Sequence, residues 1–312
     1  VNQDQTALVA VDWGTSSLRA ARLNTQGQVL EERALPRGIL TISPGEFASF
    51  FIANFADWTR ATGILCLISG MAGSKQGWKE APYCPCPAGF DEVATALTWV
   101  EPHRIAIVPG LSCEHTHAPD VMRGEEVQIF GAMQLTGLRD GLFVLPGTHS
   151  KWAQVQNGRV TTFRTYMTGE FYALLSQHSI LAKTLPTEAE APFDADAFAQ
   201  GMTMAHTGAG LLHTAFSART LSLFSRMDAL ALPSYLSGLV IGEELRLQMP
   251  DAAKAGSGAD SGVVLIGSST LTARYSQALA LQGVRSRALG SEATWAGLHA
   301  LAGSVRALPA SC

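Results

Sequence analysis

Two short passages in this 312-residue chain carry residue types suited to holding a phosphate. The first is Asp12-Trp13-Gly14-Thr15-Ser16-Ser17, and the second is Pro146-Gly147-Thr148-His149-Ser150-Lys151. In each, a glycine lets the backbone turn tightly, so that successive N–H groups and the Thr and Ser hydroxyls can cradle an anion. Asp12, at the end of an apolar run, suits the water shell of a Mg²⁺ ion, which takes one or two carboxylates and keeps several waters. Lys151 is placed to meet β- and γ-phosphates. The plain alternative is a hairpin turn in which Asp12 bonds nearby backbone.

The two passages share a context. Leu8 to Asp12 and Leu142 to Leu145 are strand-like runs, each followed by the Gly-Thr-x-Ser turn, a second strand and a polar glycine turn. Asn157-Gly158 is a strong hairpin signal in the second copy. The paired elements, Gly14 and Gly147, are separated by 147 − 14 = 133 residues, close to half the chain. One unit used twice predicts two similar domains facing each other across a cleft. No P-loop is present, because Ser268 stands where the motif starting at Gly262 would need lysine. No Gly-x-Gly-x-x-Gly opens a helix either. A nucleotide would therefore have to be held by the paired turns.

Other elements must position these turns. Ile64 to Ile68 and Ile105 to Val108 are strand-length apolar runs ending near glycine, as is Val263 to Ile266 before Gly267-Ser268-Ser269. Helices are expected over Phe47–Thr59, Glu125–Leu135, Glu170–Leu181, Ala195–Thr207, Tyr235–Leu247, Leu271–Leu281 and Ser291–Gly303, the last capped by Ser291. Asp251 to Ser261 reads as an exposed loop. Alternating strands and helices give an α/β class with mixed sheets. The expected division is residues 1–115 and 116–312, with the final helix, 291–303, packing back across the hinge.

Composition sets outer limits. Net charge is −4, with 47% apolar and 15% charged residues, which favours a well-packed globular chain and argues against nucleic-acid binding. No apolar run reaches the ~18 residues of a membrane span. The polar start, Val1 to Thr6, lacks an initiator Met and a signal-peptide core, as expected of a trimmed cytoplasmic chain. Five cysteines without framework spacing fit a reducing compartment. An even, non-repulsive surface is compatible with a homodimer.

Taken in order, Asp12-x-Gly14-Thr15, Pro146-Gly147-Thr148 and Gly267-Ser268-Ser269 resemble the phosphate-1, phosphate-2 and adenosine motifs of the acetate and sugar kinase, Hsp70 and actin superfamily. More narrowly, the chain resembles the 2-dehydro-3-deoxygalactonokinase family over nearly its whole length. That likeness rests on Asp12 to Arg19, Ser69 to Trp78, Arg123-Gly124-Glu125-Glu126, Leu145 to Trp152, Tyr166 to Glu170 and Tyr235 to Gly242. The resemblance implies an actin-like ATPase or ribonuclease H-like fold with the active site in the interdomain cleft. It also implies transfer of the ATP γ-phosphate, with Mg²⁺, to the 6-hydroxyl of a 2-keto-3-deoxy sugar acid. The gluconate-type epimer and a sugar-independent ATPase switch are the alternatives on the same fold.

A sugar hydroxyl is a weak nucleophile, so a carboxylate must accept its proton. Related sugar kinases carry Gly-Asp at a helix start about twenty residues before the phosphate-2 turn. Here Gly124-Glu125-Glu126 holds that place, with Glu125 the candidate base and Glu126 the second choice. Against this, acidic residues are common in any first helical turn. The sugar loop is Gly70, Met71, Ala72, Gly73, Ser74, Lys75 and Trp78: glycines for close approach, a hydroxyl, and an indole face for the carbon skeleton. Lys75, Arg37, Lys79 and Arg164 are the candidate cations for the substrate carboxylate. Thr168 reads as a helix N-cap. A rival reading gathers Cys84, Cys86, Cys113, His115 and His117 into the zinc site of a hydrolase, although their spacings do not match zinc patterns.

Overall fold

The computed structural model describes residues 5–61, 63–186, 191–252 and 262–307. A six-stranded sheet has the order β3-β2-β1-β4-β7-β6. Its strands are β1 (Leu8–Trp13), β2 (Leu18–Leu23), β3 (Val29–Leu35), β4 (Leu65–Gly70), β6 (Thr98–Glu101) and β7 (Ile105–Ile107). β1 pairs antiparallel with β2 and parallel with β4, and β4 runs parallel with β7. β1 and β4 are central and almost wholly buried, so they read as continuous apolar runs. The edge strand β3 alternates half-buried and exposed residues and carries Glu31, Glu32 and Arg33, charges that discourage edge-to-edge pairing.

A five-stranded sheet has the order β12-β11-β10-β13-β14. It is built from β10 (Gly141–Leu145), β11 (Ser150–Gln156), β12 (Arg159–Tyr166), β13 (Val263–Ile266) and β14 (Ser286–Leu289). Numbered within its own sheet, each series begins 3-2-1-4: two successive hairpins, then a strand added beside the first. This common order is the duplicated unit expected from the two Gly-Thr turns. A third sheet, β5-β8-β9, joins Tyr83–Pro85, Gly110–Cys113 and Asp120–Met122, and nothing in the sequence pattern announced it.

The helices are α1 (Phe47–Thr59), α2 (Phe90–Thr95), α3 (Glu125–Thr136), α4 (Thr168–His178) and α5 (Ala195–Ala205). They continue with α6 (Leu211–Thr214), α7 (Ser217–Leu223), α8 (Leu232–Ala252), α9 (Ser269–Leu281) and α10 (Glu292–Ala307). In α1, Phe47, Phe51, Phe55 and Trp58 recur on one face and bury against Val9, Val11 and Trp13 of β1. Burying each such side chain contributes about 1.5–3 kcal/mol. α8 is longer than its periodicity suggested and runs to Ala252; of the loop expected over Asp251–Ser261, residues 253–261 lie outside the described residues.

By contact the chain forms two compact units, both discontinuous in sequence. Unit 1 is residues 1–143, 153–164 and 289–312, and unit 2 is residues 144–152 and 165–288. In unit 1, α10 packs on α3 and α2. A Cβ added to Gly131 of α3 would lie 1.7 Å from the Ala293 carbonyl oxygen of α10, and one on Gly297 would lie 1.9 Å from that of Val127. The two backbones therefore touch, a spacing that only glycine permits. Unit 2 uses the same device between α5 and α8, through Gly201 and Gly238.

Candidate active site

Unit 1 gathers the first turn, the sugar loop and the two glutamates at one end of its sheet. Asp12 lies opposite Ser69, and Trp13 opposite Gly70, in the parallel β1–β4 register, so the segments after both strands leave the sheet together. In open α/β sheets this carboxyl end is where ligands bind. Asp12 accepts a hydrogen bond from Arg19 Nη2 at 2.7 Å through Oδ2. Its Oδ1 faces Gly70, where an added Cβ would stand 3.4 Å away. Gly14 closes the turn by donating its N–H to the Ser17 carbonyl at 2.9 Å, leaving Thr15, Ser16 and Ser17 exposed.

After β4 the chain passes through Gly70 at φ 86° into a single 3-10 turn, Met71–Gly73. An added Cβ at Gly70 would meet the Trp13 carbonyl oxygen at 2.8 Å, so this position combines a left-handed backbone with a close approach. Ala72 and Gly73 are buried, Ser74 is half-buried and Lys75 is exposed. Trp78 packs edge-on to Trp13 and tilted on Phe51, with ring centroids at 6.2 and 5.3 Å, so part of the indole belongs to the core. Lys75 and Trp78 also line a pocket of about 570 Å³ with Pro44, Gly45, Phe47 and Ala48.

Arg123 and Gly124 form a two-residue turn from β9 into α3. An added Cβ on Gly124 would come within 3.2 Å of the Gly70 Cα, which brings the start of α3 against the sugar loop. Here the two glutamates part. Glu125 is half-buried, and its Oε2 accepts the Arg123 N–H at 2.9 Å. Glu126 is fully buried, both its oxygens accept the Gly124 N–H, and burial pushes its carboxyl up to about 8. The adjacent Glu125 charge adds to that rise, while Arg123 and backbone N–H groups oppose it.

Unit 2 carries the second turn. Gly147 is half-buried and Thr148 and His149 are exposed, whereas Ser150 and Lys151 turn inward at the start of β11. The Lys151 ammonium donates to Thr165 Oγ1 at 2.8 Å, so in this structure it is committed to β12 rather than extended from the turn. His149 pairs with Glu170 at 2.6 Å, and the Glu170 N–H donates to the Thr148 carbonyl at 3.1 Å. An added Cβ on Gly169 would meet the Gly147 carbonyl oxygen at 2.5 Å, so the first turn of α4 braces the second phosphate turn directly.

Thr168 is not the N-cap of α4. Met167 occupies that position without a side-chain cap, and the Thr168 hydroxyl instead donates to Glu244. Glu244, on α8, is buried and also accepts from Trp152 Nε1 and from Tyr275 OH, the latter at 2.7 Å. Ser150 in turn bonds Tyr275 at 2.9 Å. One carboxylate thus ties β11, α4 and α9 around the second turn. Burial raises its pKa, and the four hydroxyl and indole groups hold it down. Sequence reasoning missed Glu244, since a lone acid on a long helix is ordinarily a solvated charge. Ser268 caps α9, its hydroxyl accepting from the Leu271 N–H at 3.5 Å.

The remaining candidates scatter. Lys79 Nζ donates to the Trp99 carbonyl at 2.7 Å, the Arg37 guanidinium lies 5.7 Å from the Phe50 ring, and Arg164 is exposed on β12. Among the described residues no group of three His, Cys, Asp or Glu is arranged to hold a metal ion. The zinc candidates have other partners: Cys113 Sγ lies 3.3 Å from Thr162 Oγ1, and His115 Nε2 lies 2.8 Å from the Phe163 carbonyl. Burial keeps the Cys84 and Cys86 thiols protonated, which disfavours metal binding.

Two sheets with the same 3-2-1-4 core and glycine–hydroxyl turns after their first strands define the ribonuclease H-like class of α/β protein to which actin-like ATPases belong. Comparison with known proteins narrows this. The family model for 2-keto-3-deoxy-galactonokinase matches residues 12–301. A Rhizobium meliloti (strain 1021) protein named "Probable 2-dehydro-3-deoxygalactonokinase DgoK1" is 37% identical over 95% of this chain and 96% of its own. The Escherichia coli (strain K12) 2-dehydro-3-deoxygalactonokinase is 34% identical over 95% of this chain and 98% of its own. A crystal structure of a Sinorhizobium meliloti protein assigned the same activity superposes with a TM-score of 0.81 at 38% identity, covering 96% of this chain and 98% of that one. The chain belongs to the 2-keto-3-deoxy-galactonokinase family.

Proposed function

We propose that this protein phosphorylates the 6-hydroxyl of 2-dehydro-3-deoxy-D-galactonate with ATP, yielding the 6-phosphate and ADP. Family membership supports the activity, and the observation that carries the residue assignment is the packing of Gly124 on Gly70. That packing brings Glu125 to the head of the loop assigned to the sugar. Glu125 serves as the base: it is half-buried at a helix start, whereas Glu126 is sealed in the core with its carboxyl pushed up to about 8. Met71 to Ser74 take the sugar hydroxyls, and Lys75 and Trp78 border them.

The exposed Thr15, Ser16 and Ser17 and the Gly147-Thr148 turn fit phosphate oxygens by their hydroxyl and N–H donors. Gly267 and Ser268 take the adenosine side. Mg²⁺, when bound, neutralises charge developing on the transferred phosphoryl group. Asp12 fits that ion as a single carboxylate with Oδ1 turned away from its Arg19 partner. No helix among the described residues is long and apolar enough to cross a membrane, and the proposed site of action is the cytoplasm.

ADP release by the purified protein with Mg-ATP tests the reading, with the galactonate-type sugar acid, its gluconate-type epimer, or no sugar. Release that depends on the galactonate-type acid is expected. Equal release without sugar would replace the kinase by an ATPase switch, and preference for the other epimer would reassign the substrate.

A further inference from the structure

Glu244 is a buried carboxylate that the proposed chemistry leaves without a task. Its Oε1 accepts the Trp152 indole N–H, and its Oε2 accepts the hydroxyls of Thr168 and Tyr275. Because the Tyr275 hydrogen is committed to Glu244, the 2.9 Å contact with Ser150 has the Ser150 hydroxyl donating to Tyr275. Every hydrogen in the network therefore points towards one acceptor, which suits an ionised carboxylate. All five residues are buried, and the groups that stabilise the charge are neutral hydroxyls and an indole. A buried carboxylate adds little net stability, since well-packed apolar residues serve as well. Its value lies in where its donors come from.

They come from both sides of the second phosphate turn. Ser150 and Trp152 open β11, the strand that leaves the turn. Thr168 is the first residue of α4, the helix that braces the turn from the other side. There the Glu170 N–H donates to the Thr148 carbonyl at 3.1 Å, and an added Cβ on Gly169 would stand 2.9 Å from the Thr148 Cα. Glu244 thus anchors the strand end of the turn through Trp152 and Tyr275, and its glycine end through Thr168 and α4. Between these anchors Thr148 and His149 stay exposed.

We propose, resting on the reading of this turn as a nucleotide-phosphate site, that Glu244 is its positioning residue and holds the Gly147-Thr148 backbone in the shape that phosphate oxygens require. At 2% exposure Glu244 does not itself reach the nucleotide. A cradle of N–H groups and hydroxyls serves an anion best when its donors are fixed before the anion arrives. A short turn containing glycine is otherwise free to rearrange, and the clamp removes that freedom. Its effect is confined to the phosphates. Gly267 and Ser268, assigned to adenosine, are held by β13 and by the Ser268 cap of α9 rather than by Glu244.

Calorimetric titration of the full chain with Mg-ADP and with adenosine tests this in wild type, Glu244→Met and Glu244→Gln. Wild type should bind ADP more tightly than adenosine; equal affinity would overturn the phosphate assignment of the turn and this proposal with it. Glu244→Met removes all three bonds to the carboxylate. It should weaken ADP about tenfold or more and adenosine less than about threefold. Glu244→Gln can keep every link, its oxygen accepting from Trp152 and its amide donating to the Thr168 and Tyr275 hydroxyls. It should bind ADP within about threefold of wild type. Equal losses on ADP and adenosine, no loss on ADP, or a Gln loss as large as the Met loss would overturn the proposal. Should Glu244→Met not fold, Thr168→Val cuts the link to α4 alone and should weaken ADP about threefold or more with adenosine unchanged. No ADP-specific loss there would overturn the proposal as well. The titrations need no sugar, so their failure is separate from that of the kinase reading, which sugar-dependent ADP release decides.

Discussion

Replacing Glu126 by Gln turns the contrast between the paired glutamates into a measurable pH dependence. Glu126 is fully buried, and its carboxyl rises from an ordinary 4.5 to about 8. Between those values the folded chain holds a proton that the unfolded chain has released, so stability falls as pH rises. At about 1.4 kcal/mol per pH unit, the full window corresponds to about 5 kcal/mol. Gln keeps the shape and still offers an oxygen to the Gly124 N–H, but it carries no titrating proton. Urea unfolding of both proteins at pH 5.5, 6.5 and 7.5 isolates this contribution, because the other titrating groups are common to both. The stability of Glu126→Gln relative to wild type should climb by about 2–3 kcal/mol across that range. A flat difference would refute the reasoning, since it would mean that the Gly124 N–H and the Arg123 charge hold the carboxylate ionised despite its burial.

Three further outcomes are expected. Glu125→Gln should lower kcat by about 10²–10⁴-fold with little change in the sugar KM, and near-normal turnover would remove Glu125 from the base role. Asp12→Asn should raise the Mg²⁺ concentration for half-maximal turnover by about tenfold or more, and an unchanged Mg²⁺ titration would place the ion elsewhere. Gly131→Ala puts a methyl group 1.7 Å from the Ala293 carbonyl oxygen and must push α3 and α10 apart. It should cost about 3 kcal/mol or more in urea unfolding, and a loss below about 1 kcal/mol would show that the helix pair adjusts freely.

Local pattern alone located much of the architecture. The helix expected over Phe47–Thr59 has those bounds, because its aromatic residues recur at helical spacing and nothing competes for them. β1 and β13 were legible as uninterrupted apolar runs, and the duplicated turn showed through Gly14-Thr15 and Gly147-Thr148, whose backbone demands are local. Helix ends were less legible. Tertiary packing carries α8 from Leu232 to Ala252, well beyond the stretch that periodicity marked, and it turns Thr168 from a cap into a donor to Glu244.

What the sequence determined by itself is therefore the two Gly-Thr turns, the central strands and long helices around them, and the residue types available for phosphoryl transfer. Each depends on neighbours a few positions apart. The tertiary structure alone decided which of two adjacent glutamates is sealed in the core, since successive residues at a helix start face different surroundings. It also decided that Lys151 points to Thr165, that Glu244 gathers donors from three elements, and that Arg123 lies behind the sugar loop. These are meetings of residues up to about a hundred positions apart, and burial and hydrogen-bond satisfaction at such sites exist only once the chain has packed.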